Sequence, residues 1–183
     1  MLQKVSTALY RISSIWTVVA AIIVYGFFIA RVMPAQSADS AAYAGDWGAP
    51  DRHFFYTPDE LYTAVATWGD AGRQDYIAFR LGLDIVWALA YTAFLLTITS
   101  YALRAAFPIG DRRRLLNLIP LIPLVCDYLE NALGISLVSA FPQRLDGLAW
   151  LATLTTGAKW STLAVAHLVM LYALGAAAWA RFR

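Results

Sequence analysis

Four long apolar segments, separated by polar connections, set the pattern of this chain. They cover about residues 13–33, 81–103, 115–138 and 150–179. A helix rises about 1.5 Å per residue, so roughly 20 residues cross a hydrocarbon core about 30 Å thick. The sequence therefore predicts an all-α polytopic membrane protein, with residues 1–183 forming a single membrane domain built as a four-transmembrane-helix bundle.

The first apolar segment has a competing interpretation as a signal peptide, with a cleavage region at 34–38. Its apolar run is longer than the roughly 7–15 residues of a signal peptide, and Arg31 lies near its end. We therefore expect a retained span.

The exterior loop 34–80 is predicted to contain one short amphipathic helix. Residues 34–56 show no periodicity and are predicted to be a loop, whereas Thr57, Pro58 and Glu60 fit a helix-capping box. We expect a helix from Pro58 to about Trp68, on the outer surface or folded over the bundle. A long helix over about 71–106 should follow and carry the second span.

The third apolar segment holds the chain's most conspicuous polar residues. Asp127, Glu130 and Asn131 share one helical face, because positions three and four apart differ by about 60° and 40° around the axis. Pro120 and Pro123 are expected to kink this span and free backbone carbonyls. Ionisable groups in a bilayer usually face partners, water or a ligand, so this face should point inward.

Two other spans bring charged residues to a similar depth, in the outer half of the bundle. The sequence predicts a polar core of Asp84, Asp127, Glu130, Asn131 and Lys159. An Arg80–Asp84 pair is possible at a spacing of four residues. The acids outnumber the bases even so, which predicts a bound proton or cation. The alternative is structural: a Lys159–Glu130 ion pair and an Asn131 hydrogen bond that hold helices together.

Composition agrees with a membrane protein and narrows the chemistry. The chain is 60% hydrophobic and 14% charged, against about 45–50% and 25% in soluble domains. A net charge of +2 gives no basis for a nucleic-acid partner. The single cysteine, Cys126, excludes an intrachain disulfide.

The metal and cofactor signals are few. His167 could ligate haem, but the other histidine, His53, lies in the exterior loop rather than at a matching depth. The loop residues Asp39, Asp46, Asp51 and His53 fit no metal-ligand spacing. The sequence thus predicts no metal site, and the cofactor remains unknown.

Orientation follows from the basic residues that flank the spans. Eight lie on one side, namely Lys4, Arg11, Arg104, Arg112, Arg113, Arg114, Arg181 and Arg183. Five lie on the other, namely Arg31, Arg52, Arg73, Arg80 and Arg144. The positive-inside rule predicts cytoplasmic N and C termini in a bacterial inner membrane.

The chain resembles a family of uncharacterised bacterial four-span membrane proteins. The resemblance rests on 56–62, on Gly69, Gly72, Arg73 and Tyr76, on Asp84, on a D-x-x-E-N motif at 127–131 that follows Pro123, and on the Lys159-Trp160 pair. It covers most of the chain from about residue 55. It implies four spans and a shared polar core, and no reaction type.

Three classes of function fit this sequence. The favoured one is a binding or accessory protein that holds a lipid or small amphiphile, or docks onto a larger membrane complex. The second is an intramembrane acid/base enzyme acting on a lipid-linked substrate, with Asp127 and Glu130 as the pair. No known catalytic signature supports it. The third is proton or cation translocation.

Overall fold

The computed structural model describes residues 1–182, which fold into helices with no strand among them. Four helical segments are long and apolar enough to cross a membrane: Ile15–Ala44, Gly69–Ala106, Arg112–Ala140 and Asp146–Ala180. The predicted all-α fold with four candidate spans is confirmed.

The helices are numbered here in chain order. They are α1 Leu2–Ile12, α2 Ile15–Phe27, α3 Met33–Ala44, α4 Pro58–Thr67, α5 Gly69–Leu81, α6 Leu83–Ala106, α7 Leu121–Ala140 and α8 Asp146–Ala180. A π-helical turn at Phe28–Val32 joins α2 to α3, and 3₁₀ turns occupy Pro50–Arg52 and Arg112–Leu118. Helix α8 packs against both α6 and α7 and forms the centre of the bundle with them.

The first span continues well beyond its predicted end. The loop expected from residue 34 is instead helix α3, which ends at Ala44 and is followed by Gly45 with φ +56°. A proline lacks the N–H and clashes with the preceding turn, and the wide π turn directly before Pro34 accommodates it. Helix α3 buries only Ser40 and Ala44, so it has no apolar stripe that the sequence could reveal.

Two other predicted helices are interrupted. The helix expected over about 71–106 breaks at Gly82, which separates α5 from α6. The third span begins with the 3₁₀ turn, and α7 starts only after Pro120. Pro120 and Pro123 lie where the 3₁₀ turn passes into the α-helix, whose first turn needs no N–H donor from them.

Helix α4 confirms the predicted capping box. The Thr57 N–H donates to Glu60 Oε2 at 2.7 Å, and the Glu60 N–H donates to Thr57 Oγ1 at 3.3 Å. The helix buries Leu61 and Val65 in a core cluster with residues of α7 and α8. It therefore folds over one end of the bundle, which was one of the two predicted placements.

Helix α1 was not predicted. It buries Ser6 and Tyr10 at the opposite end of the bundle. The Ser6 hydroxyl donates to Asn117 Oδ1 at 2.8 Å, and Arg104 donates to the Tyr10 and Ser13 carbonyls. These hydrogen bonds hold α1 against the 3₁₀ turn at Arg112–Leu118 and against α6.

Candidate functional site

Arg80, near the end of α5, is the centre of the buried polar groups. Its side chain is 1% exposed. Nη1 donates to Asp84 Oδ2 at 2.9 Å and to Asn131 Oδ1 at 2.8 Å. Nη2 lies 2.7 Å from Asp51 Oδ1, an ion pair whose geometry is not that of a hydrogen bond. One guanidinium thus joins α5, α6, α7 and the Pro50–Arg52 turn.

A second cation lies next to the first. The Lys159 ammonium on α8 donates to Glu130 Oε2, and the Thr156 hydroxyl donates to Glu130 Oε1. Glu130 Oε2 is also 4.0 Å from Arg80 Nη1. We call this connected set the polar network; its members are Asp51, Arg80, Asp84, Glu130, Asn131 and Lys159.

Asp127 lies outside the polar network. The Tyr91 hydroxyl donates to its Oδ2 at 2.8 Å and also lies 3.2 Å from the Pro123 carbonyl oxygen. Asp127 Oδ1 is buried, with no hydrogen-bond partner among residues 1–182. The polar network itself has three carboxyl groups and two cationic side chains, so the acid excess expected from the sequence persists in the fold.

The structure brings together four of the five predicted polar-core residues, Asp84, Glu130, Asn131 and Lys159, and holds Asp127 separately. The possible Arg80–Asp84 pair and the Lys159–Glu130 pair are both present. Sequence reasoning missed Asp51, which lies in the segment without periodicity. It also gave Arg80 only one partner.

The loop that carries Asp51 is fastened to α8 at two points. The Trp160 indole N–H donates to the Asp51 carbonyl at 3.0 Å, and the Tyr56 N–H donates to Thr153 Oγ1 at 2.9 Å. Burial alone would raise the pKa of Asp51, but the nearby Arg80 and Lys159 cations outweigh burial and lower it. We therefore expect Asp51 to be ionised at neutral pH.

A cavity of about 270 Å³ lies beside the Asp51–Arg80 pair. Its walls come from α3, α5 and the Pro50–Arg52 turn. Polar lining residues are Gln36, Ser37, Ser40, Asp51, Arg52 and Arg80, and Met33 and Phe79 add apolar surface. Glu130, Lys159 and Asp127 do not line this cavity, so the polar groups beside it differ from those expected from the sequence.

The remaining sequence candidates have other partners. The His167 ring bonds through Nδ1 to the Leu163 carbonyl of its own helix at 2.8 Å. His53 stacks on Trp47 and forms a hydrogen bond with the Trp47 carbonyl, whereas Asp51 pairs with Arg80. Within residues 1–182, no group of three His, Cys, Asp or Glu residues is arranged to hold a metal ion.

The fold and the site together define a candidate multi-pass membrane protein with a buried ionic network beside a cavity whose exposed lining is mainly apolar. No known protein family, curated protein or solved structure matches the chain. The family resemblance drawn from the sequence motifs therefore stays an expectation.

Proposed function

We propose that this protein is a membrane binding protein that holds a small amphiphile in the cavity beside Asp51 and Arg80. The supporting observation is the combination of a cavity of about 270 Å³ with an ion pair in its wall, Asp51 to Arg80 at 2.7 Å. The ligand is either a bound lipid or part of a membrane-complex partner. In the D-x-x-E-N motif, Asn131 accepts a hydrogen bond from Arg80 and Glu130 lies close to it. These two residues position the guanidinium beside the cavity.

The cavity restricts the chemistry of the ligand. Its volume is near the lower end of the roughly 300–1,000 Å³ of typical ligand pockets, so it suits a headgroup-sized polar end. Asp51 is the acid that lines it, and the acids of the polar network outnumber the cations. A polar end with hydroxyl or ammonium donors would complement that charge, while Met33 and Phe79 would contact an apolar portion.

We propose that the cavity faces the outer leaflet of a bacterial inner membrane, with both termini in the cytoplasm. The basic residues support this orientation, because the side with eight of them should be cytoplasmic. The cavity would then be reached from the exterior side, next to helix α4.

The two alternative functions draw less support from this geometry. An acid/base enzyme would need Asp127 and Glu130 at an accessible surface, yet Tyr91 holds one and Lys159 with Thr156 holds the other. Both acids are buried. A proton or cation path would need further polar side chains that lead from Tyr91 to the cytoplasmic half of the bundle.

The test is native mass spectrometry of protein extracted gently from its membrane, comparing two tryptophan variants on neighbouring positions of α3. Ser37→Trp fills the cavity, whereas Ala38 is exposed and does not line it. We expect a co-purifying amphiphile that Ala38→Trp retains and Ser37→Trp loses. Equal retention in both variants, or no bound molecule in the parent protein, would contradict the proposal.

A further inference from the structure

The end of the bundle that holds α1 is strongly basic. Residues 1–38, 85–126 and 147–183 contain a single acid, Asp111, although the chain has 12 acidic residues. The cations at this end include Lys4, Arg11, Arg104, Arg112, Arg113, Arg114 and Arg181. Such an excess of one sign attracts anions to any concave surface there.

This end contains a cavity of about 320 Å³ between α1 and the turn that precedes α7. Gln3, Thr7 and Tyr10 line it from α1, and Arg112 and Arg114 line it from the 3₁₀ turn. Two arginines therefore line one half-open concave surface, together with Asp111 and the Gln3 carboxamide. The Thr7 and Tyr10 hydroxyls already donate to the Gln3 and Arg114 carbonyls.

The two arginines keep their positive charge available. Asp111 is occupied by Arg113, whose Nη2 lies 2.6 Å from Asp111 Oδ2. Among residues 1–182, neither Arg112 nor Arg114 forms an ion pair with an acid. Arg114 stacks over the Tyr10 ring at 4.2 Å, and its Nε is buried without a hydrogen-bond partner. A buried donor without a partner costs free energy that an anion would recover.

We propose that this cavity binds the phosphate group of an anionic phospholipid. Arginine suits phosphate because its planar guanidinium offers paired donors. The rim favours a lipid over free phosphate, because Ile109 is 93% exposed and Leu2 is 64% exposed at the same end. These side chains would lie at the level of the headgroup, beside the first carbons of the acyl chains. The inference does not depend on the amphiphile proposed for the other end.

The test uses the detergent-purified full chain and native mass spectrometry during titration with dioleoyl phosphatidylglycerol or dioleoyl phosphatidylcholine. The variant is Arg112→Gln with Arg114→Gln, and the matched control is Arg181→Gln, a cation at the same end but outside the cavity. At about 1 kcal/mol per arginine, we expect the double variant to bind phosphatidylglycerol roughly 30-fold more weakly. The control should bind like the parent protein.

Three results would overturn the lipid site: equal binding of the two lipids, no loss in the double variant, or the same loss in the control. If inorganic phosphate displaces phosphatidylglycerol at millimolar concentration, the cavity takes free phosphate and the lipid assignment is wrong. Should the double variant fail to fold, Arg112→Gln alone decides the question, because Arg112 is exposed and makes no ion pair.

Discussion

Arg80 is the residue on which the polar network depends. Its guanidinium contacts Asp51, Asp84 and Asn131, which come from three separate elements. Burying an ion costs several kcal/mol of hydration, and only good geometry with several partners offsets that cost. The network is therefore more vulnerable to loss of its central cation than to loss of a peripheral group.

We predict that Arg80→Met lowers the free energy of unfolding by about 3–5 kcal/mol, because it leaves buried carboxyl groups without their cation. The matched control is Arg144→Met. Arg144 also pairs with two acids, Asp59 and Asp146, but all three side chains are substantially exposed. Chemical denaturation in detergent micelles would measure both variants, and the control should stay within experimental error. Equal effects would mean that burial does not set the contribution of Arg80.

We predict that Asp51 makes stability sensitive to acid. Its pKa in the folded protein is lowered from 3.8, against the effect of burial, mainly by Arg80 and Lys159. A lowered folded pKa means that the contribution is complete above the unfolded pKa and is lost as pH falls through the folded pKa. Asp51→Asn should therefore be less stable at neutral pH and lose less stability below about pH 4.

Unfolding midpoints measured between pH 7 and pH 2 would test the acid prediction. The control is Asp46→Asn, since Asp46 is exposed just before the same turn. It should keep the acid dependence of the parent protein. An unchanged slope in Asp51→Asn would show that another carboxyl group controls the acid transition.

At the residue scale, the sequence revealed polar groups only where their surroundings are apolar. Asp84, Glu130, Asn131 and Lys159 stand out inside apolar segments, and helical periodicity predicts that Glu130 and Asn131 share a face. Asp51 sits among Ala, Gly, Pro and other acids, so nothing local separates it from a solvated loop residue. Only the fold, which places it 2.7 Å from Arg80, identifies its role.

At the scale of elements, the contact between α5 and α7 positions the polar network. Gly134 on α7 meets the Tyr76 hydroxyl of α5, and a Cβ at Gly134 would collide with it. Tyr76 in turn lies under the Arg80 guanidinium, 5.0 Å from its ring centroid. The glycine therefore allows the two helices to approach closely enough for Arg80 to reach Asn131.

We predict that Gly134→Ala destabilises the protein by about 1–3 kcal/mol, as overpacking of a tight core does. Adding Tyr76→Phe removes the colliding hydroxyl and should restore most of the loss. The control Gly175→Ala has no atom within 4 Å of the added methyl group, and alanine favours a helix interior. Thermal unfolding in detergent would compare them, and a double variant no more stable than Gly134→Ala would contradict the assigned collision.

Helix α4 was predicted from a local signal, whereas α3 offers none and α1 was missed despite one. The capping box at Thr57 and Glu60 is a chemical signature within four residues, so α4 was placed correctly. Helix α3 lacks an apolar stripe and carries Pro34 in its first turn, so only tertiary contacts set its position. Helix α1 does carry a helical pattern, with Leu2, Val5, Leu9 and Ile12 on one face, and it was overlooked.

At the scale of the whole molecule, the two ends carry opposite chemistry. One end has the Asp51–Arg80 cavity, helix α4 and most of the acids outside the spans. The other has α1, the basic turn at Arg112–Leu118 and a single acid. This asymmetry is the physical basis for an orientation, because positively charged connections are retained on the cytoplasmic side.

We predict that Asp59 and Ile109 lie on opposite sides of the membrane, with Asp59 outside. Both positions are well exposed, with 83% of the Asp59 side chain and 93% of Ile109 accessible. Each would be changed to cysteine in a Cys126→Ala background and treated with a membrane-impermeant maleimide in sealed right-side-out vesicles. Asp59→Cys should react at once, and Ile109→Cys only after the vesicles are permeabilised.

The reverse labelling pattern would place the basic end outside. The cavity beside Asp51 and Arg80 would then face the cytoplasm, and the amphiphile would have to reach it from the inner leaflet. Labelling of both positions in sealed vesicles would be more serious, because it would mean that the four apolar helices do not separate the two ends by a bilayer. Inverted vesicles supply the internal control, since the order of reactivity must exchange between Asp59→Cys and Ile109→Cys if the barrier is the membrane.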